Sequence, residues 1–306
     1  MKKPVYIYTS LIAAFFTIAL FSSYSEQDTL PPSEPKMRPD GLGQVVQSID
    51  LNRSFDFAGE ALPTDNFDVR ERLEREFEVN SYWHSSTLQN LKLSGRYFPI
   101  FERIFAEEGI PDDFKYLAVA ESGLRHPTSP AGAKGIWQFM KGTAEEYGLE
   151  VNSEVDERMH VEKATRATAQ YLKKRYEKFG NWTLTAAAYN AGERRINSEK
   201  EEQLAQSYYD LNLNAETARY IFRIVAIKEI MKNPAKFGFY LQPDEYYRPL
   251  DDVAVVSVTE SIPSLAEFAQ KYGISYRMLK VYNPWLTTGS LTVSGKKDYI
   301  IKIPAG

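Results

Sequence analysis

The segment PDDFKYLAVAESG (Pro111–Gly123) is the first place where residue type and spacing point to chemistry. Phe114, Leu117, Ala118 and Glu121 stand at i, i+3, i+4 and i+7, so the glutamate falls on the helical stripe that turns toward a core. It also falls in the last turn of that helix, where the macrodipole is negative. Burial and dipole both disfavour a carboxylate, so Glu121 is expected to keep its proton to higher pH than an exposed glutamate. A carboxylic acid protonated near neutrality is what general acid catalysis at a glycosidic oxygen requires. Structural carboxylates outnumber catalytic ones, however, and a glutamate that reaches water from a fraying helix end is the other reading of this helix.

The residues downstream bear on that choice. Pro127, Pro130, Gly132 and Gly135 make a loop of fixed but unusual backbone, able to present amides and carbonyls close to a ligand. Ile136-Trp137-Gln138-Phe139-Met140 then sets bulky apolar residues and one amide beside it, a mixture suited to a sugar ring with apolar faces and hydroxyls. AAAYNAG (Ala186–Gly192) adds Tyr189 and Asn190 at a glycine-terminated helix end. Core packing is the competing reading for both Trp137 and Tyr189, since aromatic residues are common in cores.

The elements that must position these groups follow from periodicity. FDVRERLEREFEV, SSTLQNLKLSGRYF and FPIFERIFAEEG each carry apolar residues at helical steps. Gly109-Ile110-Pro111 stops a helix, and Asp112 or Asp113 is expected to cap the next. Further helices run to Gly180, to Gly192, and from Asn214 to just before Pro234, while GERRINSEKEEQ has the charge of a solvated loop. SFDFAG alternates like a short strand. After PDEYYRPLDD the pattern changes to VAVVSV, two short helices and DYIIKIP, a β-α-α-β unit of about fifty residues that is large enough to fold alone. The expected fold class is therefore mainly α, followed by a small β-α-α-β domain. The predicted domains are 45–242 and 253–306, with 243–252 as linker.

Lys2 and Lys3 precede an uncharged run ending near Tyr24, so residues 1–25 are expected to be a secretory signal or an uncleaved signal anchor in the envelope membrane. Residues 26–44 form a proline-rich linker. Net charge is −4, which argues against a nucleic-acid partner. Cysteine is absent, which excludes disulfides, thiolate metal sites and thiol nucleophiles. Three scattered histidines, His84, His126 and His160, lack ligand spacing, so neither a metal nor another cofactor is expected.

ES at 121–122, then GAKGIWQFM, then AAYNAG, in this order, resemble the lytic transglycosylase catalytic domain of glycoside hydrolase family 23. In its longer form the pattern is most similar to the membrane-bound lytic murein transglycosylase D subgroup, supported by GTAEEYGL, by Asp156-Glu157-Arg158 and by FGNWTLTAAAYNAG. The resemblance spans about Phe98 to Met231 and implies a lysozyme-like helical fold. It assigns Glu121 as the sole catalytic acid/base and Ser122, Ser129, Gln138, Tyr189 and Asn190 as substrate-binding residues. Two departures stand out. The span from Glu121 to Ser129 is one residue shorter than usual and carries Arg125-His126-Pro127. Met159-His160-Val161 also replaces the usual Asp-Pro.

The implied activity is cleavage of the β-1,4 bond between N-acetylmuramic acid and N-acetylglucosamine in peptidoglycan strands. Hydrolytic glycosidases generally use two carboxylates, and the motifs here supply one. The resemblance implies that Glu121 protonates the leaving oxygen and then, as base, activates the muramic C6 hydroxyl, giving a 1,6-anhydro end without water. Tyr189 and Ser129 would orient the acetamido group and the leaving region. The C-terminal unit resembles a LysM module, with SIPSLAEFAQKYGISYRMLKVYNP matching its helices, although Thr259-Glu260-Ser261 stands where Gly-Asp-Thr is usual. The resemblance implies a glycan-binding module, with a purely structural remnant as the alternative. A bacterial envelope location, periplasmic after export, goes with this reading. The rival functions are a hydrolytic muramidase and an inactive wall-binding scaffold. No residue pattern points to a particular protein partner.

Overall fold

The computed structural model describes residues 48–295 and 297–305, so the targeting segment and proline-rich linker expected N-terminally lie outside the described residues. Among the described residues no helix is long and apolar enough to cross a membrane.

A small antiparallel hairpin comes first, β1 (Asp56–Phe57) and β2 (Glu60–Ala61). Among the described residues eight α-helices then build the larger part: α1 (Phe67–Tyr82), α2 (His84–Glu108), α3 (Lys115–Ser122), α4 (Lys141–Glu146), α5 (Val161–Phe179), α6 (Trp182–Ala191), α7 (Glu193–Glu202) and α8 (Ala215–Lys232). α8 is the axis of this bundle. Tyr220, Ile221, Phe222, Ile224, Val225 and Ala226 are all buried, so it is apolar nearly all round, as a central helix must be. α1, α3 and α6 pack on it. Ala186, Ala187 and Ala188 are fully buried, and their small side chains let α6 lie close to both α5 and α8.

Buried charges fix the periphery to that axis. The Lys228 ammonium on α8 donates to Asp113 at 2.6 Å and to the Asp56 carboxylate at 3.0 Å, while the Ala58 N–H donates to Asp113 at 2.8 Å. The hairpin is thereby tied to the start of α3. The Glu76 carboxylate on α1, fully buried, faces Arg219 and Arg223 of α8.

The C-terminal unit is β3 (Val253–Val258), α9 (Leu265–Lys271), α10 (Tyr276–Tyr282) and β4 (Tyr299–Pro304). The strands pair antiparallel from Val253↔Pro304 to Val258↔Tyr299. Ser264 and Ser275 cap α9 and α10 as acceptors from the N–H groups of Glu267 and Met278. Asn283, fully buried, explains the Asn-Pro stop: its amide donates to the carbonyls of Leu279 and Lys302, and its oxygen accepts from the Lys302 N–H at 2.8 Å. It stitches the end of α10 to β4.

Most expected stops hold. Gly109 and Gly180 end α2 and α5 in left-handed conformation, and Asn214 caps α8 through the Thr217 N–H at 3.0 Å. Three expectations differ. GERRINSEKEEQ forms α7 and is not a loop. Ile196 is fully buried, and Glu193 pairs with Arg175 at 3.1 Å and Lys178 at 2.6 Å of α5, so its charges line a docked helix. Neither Asp112 nor Asp113 caps a helix, because Lys115 and Lys228 take their carboxylates. The two segments flanking Pro99 join into one helix, α2. Pro99 has no N–H to offer the Gly95 carbonyl. Gly95 faces the Tyr246–Tyr247 backbone, where an added Cβ would lie 2.9 Å from that of Tyr246.

Candidate active site

α3 is short because Gly123 ends it in the left-handed region, with its N–H on the Val119 carbonyl at 2.8 Å. That places Glu121 at the helix end, with Leu117 and Ala118 of the same stripe fully buried. The residue as a whole stays partly open to solvent, while its carboxyl is densely surrounded. Burial is the largest influence and pushes its pKa up to about 7. Three neighbours modulate this: a hydrogen bond from Tyr220 lowers it, the Glu216 charge raises it, and the Arg223 charge lowers it.

Two phenols flank the acid. Tyr220 on α8 donates to Glu121 Oε1. Tyr189 on α6 donates to the Trp137 carbonyl at 2.6 Å and stands near enough for the Glu121 charge to act on it. Burial first, and that charge next, hold both phenols well above their ordinary pKa, so both are neutral donors at any pH where the acid titrates. The site thus joins one acid that exchanges its proton near neutrality to two fixed hydroxyls.

The loop after α3 is a compact folded-back ribbon. Thr128 bridges Lys134, and Lys134 bridges Phe139. Ser129 closes its tip: its N–H donates to the Ala133 carbonyl at 2.9 Å and its hydroxyl accepts from the Ala133 N–H at 3.0 Å. Gln138 sits at φ 52, a left-handed backbone uncommon outside glycine, and its amide donates to the carbonyls of Gly135 at 2.8 Å and Pro127 at 3.2 Å. The Ser122 hydroxyl contacts the Ala118 carbonyl at 3.0 Å and the Ile136 carbonyl at 2.8 Å, joining α3 to this loop beside Glu121.

A second segment clamps the ribbon from outside. Arg158, buried, donates through Nε and Nη2 to both oxygens of Asp156 and through Nη1 to the carbonyls of Gly132 at 3.0 Å and Phe139 at 3.2 Å. Gly135 lies against the Arg158 carbonyl so closely that a Cβ there would collide with it, and its φ of 82 also calls for glycine. This accounts for the Asp-Glu-Arg triplet and for the second glycine of GAKG.

The structure therefore gathers Glu121, Tyr189 and Ser122 with the Gln138 loop. Asn190 instead accepts from the Thr217 hydroxyl at 2.9 Å and fastens α6 to the first turn of α8. Trp137 is a core residue: it is fully buried against Phe101 and Phe105, with its indole N–H on Thr165 at 2.9 Å. Of Ile136–Met140 only Gln138 and Met140 reach solvent, so this run is mostly a packed floor. In the shortened span after Glu121, Leu124 also takes positive φ, 58, with its side chain fully buried. His126 packs edge-on against Tyr97, and burial depresses its pKa to about 4, leaving it neutral.

Tyr220, Glu216 and Arg223 were not among the sequence candidates. Tyr220 carried a signal, since a tyrosine on the otherwise aliphatic stripe of NAETARYIFRIV needs a buried acceptor for its hydroxyl.

The helical part and the C-terminal unit each match a known family. Residues 99–212 match the Transglycosylase SLT domain family, and residues 254–306 match the soluble lytic transglycosylase C-terminal LysM-like domain. The chain is 30% identical over 243 residues to the membrane-bound lytic murein transglycosylase D of Escherichia coli K12, a match covering 78% of this chain and 52% of that protein. The protein of the same name from Escherichia coli O6:H1 matches equally. The chain thus spans about half the length of the curated relatives it matches. Among solved structures, an inactive mutant of lytic transglycosylase Slt from Pseudomonas aeruginosa overlaps with a TM-score of 0.38 at 21% identity, over 49% of this chain and 26% of that one. The 70 kDa soluble lytic transglycosylase of Escherichia coli gives 0.38 at 23% identity, over 50% and 26%. The chain carries a transglycosylase SLT domain followed by a LysM-like domain and is homologous to the membrane-bound lytic murein transglycosylase D enzymes.

Proposed function

We propose that this SLT-domain chain is a peptidoglycan lytic transglycosylase of the bacterial envelope. It cleaves the bond between N-acetylmuramic acid and N-acetylglucosamine and leaves a 1,6-anhydro end. The observation that carries this reading is Glu121, an acid raised to about 7 and held by a phenol, with no cation bonded to it among the described residues. It is protonated often enough near neutral pH to give its proton to the glycosidic oxygen. Once ionised it is basic enough to take the proton of the muramic C6 hydroxyl as that oxygen closes on C1. The Tyr220 hydrogen bond stabilises the carboxylate between the two steps. The substrate's acetamido group takes the place of a second carboxylate, oriented by Tyr189 and the Ser129–Gln138 loop. Ser122 holds helix and loop together, and Asn190 fixes the α6 end from which Tyr189 projects.

The domain division 45–242 and 253–306 assigns the chemistry to the first part and glycan contact to the second. Export to the periplasm, with residues 1–25 cleaved or kept as an anchor, completes the proposal.

One observation favours a second reading. Glu216, exposed in the first turn of α8, lies within electrostatic reach of Glu121, and a second carboxylate is what a hydrolytic muramidase would use. Mass analysis of digested sacculi separates the two. Muropeptides lighter by one water than reducing-end products support the transglycosylase, and reducing ends alone overturn it. Glu216→Gln is expected to keep the anhydro product and most of the rate, whereas loss of cleavage would favour the hydrolase.

A further inference from the structure

The C-terminal unit is joined to the helical part by more than the chain between them. Residues Ser153–Asp156, just ahead of the arginine clamp, run along it as a strand-like partner. Val155 bridges Leu286, the Asp156 N–H donates to the Trp285 carbonyl at 2.9 Å, and the Thr287 N–H donates to the Glu154 carbonyl at 2.8 Å. The Val155 side chain, 1% exposed, lies in the C-terminal unit's own core with Leu265, Leu279 and Trp285. The Glu154 carboxylate accepts from the Ser290 hydroxyl and the Thr292 N–H, both at 2.7 Å, and so brackets the turn before β4. Directly after this strip, Arg158, held by the Asp156 carboxylate, donates to the carbonyls of Gly132 and Phe139, which stand before and after Gln138 in the loop.

A single strip of backbone is therefore shared between the docked unit and the clamp on the active-site loop. We infer that the C-terminal unit is a positioning element for the cleavage reaction, with Glu154 and Val155 as the residues through which it acts. Its docking sets where Arg158 stands, and Arg158 sets the Gln138 loop, which Ser122 joins to α3 next to Glu121. This rests on the transglycosylase reading above. A unit that only captured glycan would help the enzyme reach an insoluble wall and would do nothing for a short soluble strand. A positioning unit affects both.

The test uses the full chain and two substrates: intact sacculi, and a short soluble uncross-linked glycan strand. Val155→Asp puts a carboxylate into the shared apolar cluster, and Glu154→Ala removes the bracket. Glu154→Gln keeps it, because the amide accepts from the Thr292 N–H and donates to the Ser290 hydroxyl. On the soluble strand kcat is expected to fall about tenfold for Val155→Asp and about threefold for Glu154→Ala, with KM changed by less than about twofold. Glu154→Gln should match wild type, and helical circular dichroism should be retained throughout. Unchanged soluble-strand kcat in all variants, with only sacculus digestion reduced, overturns the inference. So does a loss confined to Val155→Asp and matched by loss of helical signal. A wild-type chain that cleaves neither substrate overturns the transglycosylase reading and this inference with it, whereas failure of the variant pattern on an active wild type overturns the inference alone.

Discussion

The cleft around Glu121 and the clamp around Asp156 both withdraw a carboxylate from water, and the two respond in opposite ways. Asp156 is 2% exposed, and burial by itself would raise its pKa. The paired guanidinium of Arg158 and the Lys134 ammonium outweigh that and hold it below its ordinary value. Glu121 loses solvent too, but a phenol is its hydrogen-bond partner, and its pKa rises to about 7. Burial does not by itself decide ionisation; the group supplied as partner does. A cation makes a permanent anion fit for holding backbone, and a tyrosine leaves a proton that can be exchanged.

Glu121→Gln should break the contrast most completely, lowering sacculus cleavage by about 10³-fold with the fold intact, as followed by release of soluble muropeptides. The same variant has a stability signature. The folded protein binds the Glu121 proton more tightly than the unfolded chain, because its pKa is about 7 against 4.5. The stability this provides is fully present below pH 4.5 and is lost as pH rises through about 7. Gln at this position is free of that loss, so the variant should equal wild type at pH 4 and exceed it by roughly 3 kcal/mol at pH 8 in denaturant unfolding. Asp156→Asn attacks the other side. It leaves Arg158 buried without its anion and should cost about 3 kcal/mol of stability, read from the urea midpoint.

Two substitutions sharpen the comparison by changing Glu121's neighbours. Tyr220→Phe removes the bond that favours the ionised form. The alkaline limb of the kcat/KM profile should then move above pH 7, and kcat should fall about tenfold. Glu216→Gln removes a like charge and should move the same limb below its wild-type position, by less. A Tyr220→Phe profile that does not move would show that the phenol does not set this acid's proton affinity.

Glu121 was legible in the sequence because its placement is local: four residues at helical spacing put it on a core stripe, and the next glycine ends the helix. The Tyr189 helix end and the Gln138 loop were legible as motifs, and the β-α-α-β order as a change of period. What stayed hidden is what the chain assembles across distance. Tyr220 reaches Glu121 from a helix 99 residues away. Arg158 entered only as part of a matching triplet, and its role depends on two carbonyls of another loop. The misread α7 has the composition of a solvated loop, and Ile196 alone marks the face that docks. Asp113 resembles a helix cap by position, yet Lys228 takes it from 115 residues away. For Trp137 the sequence left sugar contact and core packing both open, and only its packing against Phe101 and Phe105 decides for the core.

The Lys228 brace also has a consequence in time. Its ammonium reaches the Asp56 carbonyl and carboxylate across 172 residues of chain. At ordinary elongation rates of about 5–20 residues per second, Asp56 is made roughly ten seconds or more before its partner exists. The first hairpin therefore cannot be locked onto the bundle until α8 has been made, and the larger fold closes only when that helix arrives to serve as its keystone.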